Sequence, residues 1–133
     1  MAEETLVKEA LTDQMIRTGA SLVQALDQQN FNLDAALWLY LADTNQWRLL
    51  LASPAVHVEG PRKAYARLLH AIRNAHVPGV TLNDLAVLDS QDPLIQVLKR
   101  VVRTGRDTSP RRISKNTING HFIEDALIYR MAA

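Results

Sequence analysis

The chain has no cysteine among its 133 residues. That removes disulfides, thiol nucleophiles and cysteine metal sites from consideration, and it fits a reducing compartment. Aromatic residues are scarce too, with two Trp, three Tyr and two Phe, so stacking platforms for single-stranded bases are poorly provided. Glycine occurs only at Gly19, Gly60, Gly79, Gly105 and Gly120. These are too dispersed for a phosphate-cradling loop or a dinucleotide fingerprint, both of which need glycines at fixed short offsets. No pair of histidines has the four-residue spacing of a zinc-protease helix; His70 and His76 are six apart and point in different directions. A Gly-x-Ser-x-Gly nucleophile elbow is also missing. The longest apolar run, Ala35 to Ala42, is far too short to cross a bilayer as a helix. The N-terminus lacks the basic start and apolar stretch of a signal peptide. A cytoplasmic protein with no membrane partner is the expectation, and no motif implies a cofactor or a metal.

What is present belongs to an ordinary globular chain, 47% apolar and 22% charged, of a length that predicts a single domain over residues 1–133. The net charge of +1 hides a division. Up to Glu59 there are three Lys/Arg against eight Asp/Glu, and from Gly60 onward twelve against six. The densest cations lie between Lys99 and Lys115, opposed only by Asp107. Such a cluster serves either as a phosphate-binding surface or as a partner for acidic groups.

The stretch from Leu33 to Ser53 reads as a β-hairpin carrying both tryptophans. Apolar runs at Ala35–Leu41 and Trp47–Ala52 flank Ala42-Asp43-Thr44-Asn45-Gln46, whose Asp, Thr and Asn favour turns. A five-residue loop sets Leu41 opposite Trp47. Alternation then gives one face to Leu37, Leu39, Leu41, Trp47, Leu49 and Leu51, and the other to Ala36, Trp38, Tyr40, Arg48, Leu50 and Ala52. The first is a core face. On the second, Tyr40 opposes Arg48 with Trp38 two residues away, and these three form the candidate interaction surface unless a helix covers them.

Elsewhere, apolar residues at helical spacing predict a long amphipathic helix from about Glu4 to Gln28. Gly19 marks either a close approach or a weak point in it. Asn30 is its expected terminator, with Phe31 folding back. Ala55 to Glu59 reads as a loop whose His57 and Glu59 are minor ligand-contact candidates. A second helix runs from Pro61 to about Ala75, a short strand centres on Leu85–Leu88, and a third helix spans Pro93 to about Thr104. Residues 105–111 read as a flexible loop. Asn119-Gly120 then signals a second hairpin between Arg112–Ile118 and His121–Met131. Helical spacing of Ile123, Ala126, Leu127 and Arg130 competes over 121–131, where strand is the preferred reading. The predicted class is α+β, a mainly antiparallel sheet of about five strands packed with three helices as a single-domain sandwich.

Three functions follow as expectations. The first is a small non-enzymatic interaction or regulatory module, binding a protein partner or a second copy through Trp38, Tyr40 and Arg48. Another is nucleic-acid binding, if the basic side of the Pro61 helix lies beside the later cluster and pools Arg62, Lys63, Arg67, Arg100, Arg103, Arg111 and Arg112. The last is a metal-dependent hydrolase centred on His121, Glu124 and Asp125 with Lys115 nearby. In a regular strand Glu124 and Asp125 point to opposite faces, so that centre requires a bulge.

Overall fold

A computed structural model of the chain describes residues 7–75, 82–105 and 110–132. Strand β1 (Ala35–Leu41) and strand β2 (Gln46–Ala52) form the expected hairpin, and every residue of β1 except Leu41 is buried. Helix α1 (Asp13–Gln28) precedes them. A short helix α2 (Ala55–Glu59) and helix α3 (Pro61–Ala75) follow. A 3-10 turn (Leu82–Asp84) then leads into β3 (Leu85–Leu88), helix α4 (Pro93–Leu98), β4 (Arg111–Ile118) and β5 (His121–Met131). The sheet order is β3-β2-β1-β5-β4. All neighbours are antiparallel except β2 and β3, so the α+β class holds with a mixed sheet. The parallel pair arises because the connection from β2 to β3 carries α2 and α3, a crossover rather than a hairpin.

Helices α1 and α3 cover one face of the sheet, burying Leu22, Leu26, Ala64 and Leu68 against Trp38, Trp47, Leu49, Leu51 and Tyr129. Helix α4 covers the other, where Ile95 and Leu98 meet Leu37, Leu39, Leu50, Ile113 and Ile128. The fold thus has three layers, each sheet face closed by helix.

Three boundaries differ from expectation. Thr12 caps α1, its Oγ1 accepting from Met15 N at 3.1 Å, so residues 7–12 form a non-helical arm; 4–6 lie outside the described residues. α1 itself runs unbroken through Gly19. It ends where Asn30 takes a φ of 55° and Phe31 N bonds back to Leu26 O at 3.0 Å, as a left-handed terminator should. Ala55–Glu59 is helical rather than loop, initiated by Pro54, whose carbonyl accepts from Val58 N at 3.0 Å. Helix α4 stops at Leu98 because Thr104 is drawn to the end of β5: Thr104 N donates to Met131 O at 3.0 Å and Met131 N to Thr104 Oγ1 at 2.8 Å. Most of the expected 105–111 loop, residues 106–109, lies outside the described residues; Gly105 and Pro110 flank it, and Arg111 already belongs to β4.

The register of the first hairpin corrects the expected one. Tyr40 pairs with Trp47 and Leu41 with Gln46, leaving a four-residue loop, Ala42–Asn45. Asn45 closes it with a φ of 52°, a conformation asparagine accepts more readily than most residues, and Gln46 thereby joins the ladder. The shift by one residue moves Trp38 and Tyr40 onto the same face as Trp47, Leu49 and Leu51. Arg48 instead opposes Leu39 and sends Nη2 to Leu85 O at 3.1 Å.

The ladders that β5 makes with its two neighbours are each irregular in one place. Between Ala36 and Leu37 the β1–β5 register slips, so that Ala36 faces Arg130 and Leu37 faces Ile128. The slip sends both Tyr129 and Arg130 toward α1: Tyr129 Oη donates to Ile16 O at 2.6 Å and Arg130 grips Asp27 with two bonds of 2.7 and 2.8 Å. Farther up, Lys115 has a φ of 48°. Around it the faces exchange, so Ile123 packs on the α4 side while Asp125 reaches the α1 side to meet Lys8 of the arm.

Candidate functional site

Where the arm, the β1–β2 turn and the β4–β5 ladder meet, ionic and aromatic groups assemble around Asp125. Its carboxylate, 7% exposed, accepts two bonds from Arg112, at 2.6 Å (Nε) and 2.7 Å (Nη2). Lys8 Nζ donates to it at 2.8 Å and Ser114 Oγ at 3.2 Å. The hydrogen bonds from Arg112 hold the Asp125 carboxyl well below the usual carboxylate range, with Lys8 adding to them and outweighing the upward push of burial. Lys8 Nζ also stands 4.7 Å from the Tyr40 ring centre and 5.8 Å from that of Trp47, and Arg112 Cζ is 5.5 Å from the Trp47 ring centre. The two rings are tilted by 55° with centroids 5.4 Å apart, so their faces and the carboxylate form a cage around the ammonium.

The turn residue Asn45 fixes the arm. Its Nδ2 donates to Val7 O at 3.0 Å and its Oδ1 accepts from Glu9 N at 2.8 Å, bracketing Lys8. Tyr40 Oη also donates to Asn45 Oδ1, at 2.7 Å, and Trp47 Nε1 donates to Glu9 O at 2.8 Å. A cleft of about 470 Å³ continues from Glu9 past Trp47 to Asp84.

The residues singled out from sequence are distributed differently from the expectation. Trp38 is 2% exposed and Tyr40 9%; α1 lies over Trp38 at Gly19 and Lys8 of the arm over Tyr40, so this face is second-layer core and not an outer platform. Arg48 stands on the opposite face. Of the cations expected to pool, Arg62 and Lys63 are exposed on α3 in one layer, whereas Arg100, Arg103 and Arg111 are exposed on the side of α4 or at the sheet edge. The sheet separates the two groups. Arg67 is committed internally, bonding Glu59 at 2.9 and 3.0 Å and the carbonyls of Gln29 and Asn30 at 3.3 and 3.1 Å. It thus seals the negative end of α1. Arg112 is committed to Asp125.

His121, Glu124 and Asp125 are not brought together. Asp125 faces the arm, while His121 and Glu124 line a separate depression with Leu39, Leu41 and Phe122. Among the described residues no group of three or more His, Cys, Asp or Glu side chains is placed to hold a metal ion, and none of the helices is long and apolar enough to cross a membrane. Lys8 and Asn45 were missed in the sequence; Asn45 registered only as a turn former. No family model matches the chain, and neither a curated protein nor a solved structure matches it.

Proposed function

We propose that this chain is a small protein-interaction module that takes up an acidic, extended segment of a partner along the outer edge of β4. The observation that carries the reading is the edge itself: β4 closes the sheet, is eight residues long, and buries only Ile113 and Ile118. An edge strand offers unpaired backbone donors and acceptors to an added strand. Arg111 and Lys115 are exposed along it. Thr104 is anchored at Met131 and Arg111 pairs with Ile128, so the exposed Arg103 flanks the same end. Among the described residues, Arg100, Arg103, Arg111 and Lys115 form no ion pair. Their charge repels a second β4 and attracts an acidic strand.

The test is titration of the purified protein with a labelled peptide of alternating Glu and Val, at rising salt. Binding that weakens with salt, and disappears in the Arg111→Glu/Lys115→Glu variant, is the expected result. No binding, or binding indifferent to charge reversal, refutes the proposal. A preference for a duplex or single-stranded oligonucleotide over the peptide would transfer the cations to phosphate recognition instead.

A further inference from the structure

We infer that the cage formed by Asn45, Tyr40, Trp47 and Asp125 is a recognition site for a lysine-bearing peptide in extended conformation, and that the chain's own Val7–Glu9 arm is its resident ligand. This site is independent of the β4 edge.

The contacts divide into those that hold a backbone and one that reads a side chain. Asn45 supplies a donor to Val7 O and an acceptor to Glu9 N, and Trp47 a donor to Glu9 O. None of these depends on which side chains the peptide carries at those positions. They are the bonds a short extended peptide of any sequence would make, as in main-chain recognition by an added strand. Between them a single side chain enters, Lys8, and it meets what an ammonium group requires: a carboxylate at 2.8 Å and two aromatic faces at 4.7 and 5.8 Å.

Only Leu11 of the arm packs on the core. The segment ahead of it buries no apolar side chain: Val7 is 82% exposed, and Lys8, Glu9 and Ala10 are exposed beside it. The cage, in contrast, is built into the fold. Tyr40 and Trp47 are cross-strand partners in the core, and the charge of Asp125 is already balanced by Arg112, so the site keeps its shape when Lys8 leaves. Beyond Glu9 the cleft toward Asp84 gives a longer peptide room to continue. A partner peptide must displace the arm, so its apparent affinity is lowered by the fraction of time the site is closed.

The experiment uses the full chain with Lys8→Glu, which sets a carboxylate against Asp125 and expels the arm, and Lys8→Ala as a second variant that only removes the ammonium. The probe is the end-blocked peptide Leu-Val-Lys-Glu-Ala, and the readout is tryptophan emission, with thermal melting to verify the fold. Lys8→Glu should bind the peptide about tenfold more tightly than the unaltered chain, the ratio for a site that is closed nine parts in ten, with Lys8→Ala between them. Replacing the peptide's lysine by norleucine, or adding Asn45→Ala to the protein, should weaken binding about tenfold. Equal binding by the unaltered chain and both variants, or equal binding of the norleucine peptide, overturns the inference and leaves a structural clasp only.

Discussion

The substitution Gly19→Ala tests the packing of the α1 layer on the sheet. Alanine is ordinarily the better helix residue, by about 0.8–1 kcal/mol at an interior position, so on propensity alone α1 should gain. The structure reverses the sign. A Cβ at position 19 would stand 2.7 Å from Trp38 Nε1 and collide with Tyr129 Oη and Cε2. Both rings are buried and belong to a hydrogen-bonded chain in which Trp38 Nε1 donates to Tyr129 Oη at 3.0 Å and Tyr129 Oη to Ile16 O at 2.6 Å. Relief requires α1 to lift from the sheet or the two rings to shift, an overpacking cost of about 1–3 kcal/mol. Loss of one bond in the chain adds about 1 kcal/mol. The net expectation, after subtracting the propensity gain, is destabilisation by about 1–3 kcal/mol, a fall in Tm of about 3–15 °C for a domain of this size. Urea unfolding and calorimetry measure it, with Ser21→Ala on the exposed side of α1 as the control that follows propensity. Adding Tyr129→Phe to Gly19→Ala removes the nearest obstructing atom, so the double variant should lose less than the two single losses combined, by at least about 0.5 kcal/mol. A Gly19→Ala protein as stable as the parent would refute the close-approach reading.

Burial pushes the Tyr129 hydroxyl up to about 12; because the unfolded chain ionises this group near 10, stability should be constant below that pH and fall between about 10 and 12, a decline that Tyr129→Phe flattens in alkaline melting curves. Asp125 behaves oppositely: its lowered folded value stabilises the protein fully above the usual carboxylate range, a contribution lost progressively as pH falls below that range, so Asp125→Asn should cost about 1–3 kcal/mol at neutral pH and much less in strong acid, read by urea titration at both. Arg130→Met should cost about 2–4 kcal/mol through the two bonds to Asp27, whereas Arg62→Met on the exposed face of α3 should leave the urea midpoint within about 0.5 kcal/mol.

Element existence was largely legible because each hairpin has its turn chemistry in the sequence: Asp43, Thr44 and Asn45 in one, Asn119-Gly120 in the other. Phase was not. Strand β1 reads AALWLYL and is buried on both faces, so no polar residue distinguishes inside from outside. A loop one residue shorter then exchanges Leu37 and Leu39 for Trp38 and Tyr40 at no cost in apolar burial. The slip at Ala36/Leu37 and the positive φ of Lys115 have the same opacity, since either breaks alternation without leaving a glycine or proline to announce it. They decide where Asp125, Tyr129 and Arg130 point, and that determines both the α1 anchorage and the site. The pooled basic surface failed for a different reason. Helical spacing tells which side of α3 is basic, but only sheet topology tells that α3 and α4 lie on opposite faces.

The arm site was hidden because its members are far apart in the chain, Lys8 and Asp125 by 117 positions, and no local pattern joins them. Its energetics nevertheless explain why it is suited to exchange. Arg112 alone neutralises Asp125, so Lys8 is a surplus cation. With its side chain 40% exposed, its ion pair belongs to the surface class of about 0–1 kcal/mol. Ring contacts contribute about 0.5–1 kcal/mol. The three backbone bonds from Asn45 and Trp47 contribute about 1 kcal/mol each. Against this, ordering residues 7–9 costs about 1–2 kcal/mol per residue. Gain and cost nearly cancel, so the arm is held closely enough to occupy the cage and loosely enough to leave it. A peptide already extended by its own protein would not meet that ordering cost at the site, and this saving offsets part of the association cost that the tethered arm does not bear.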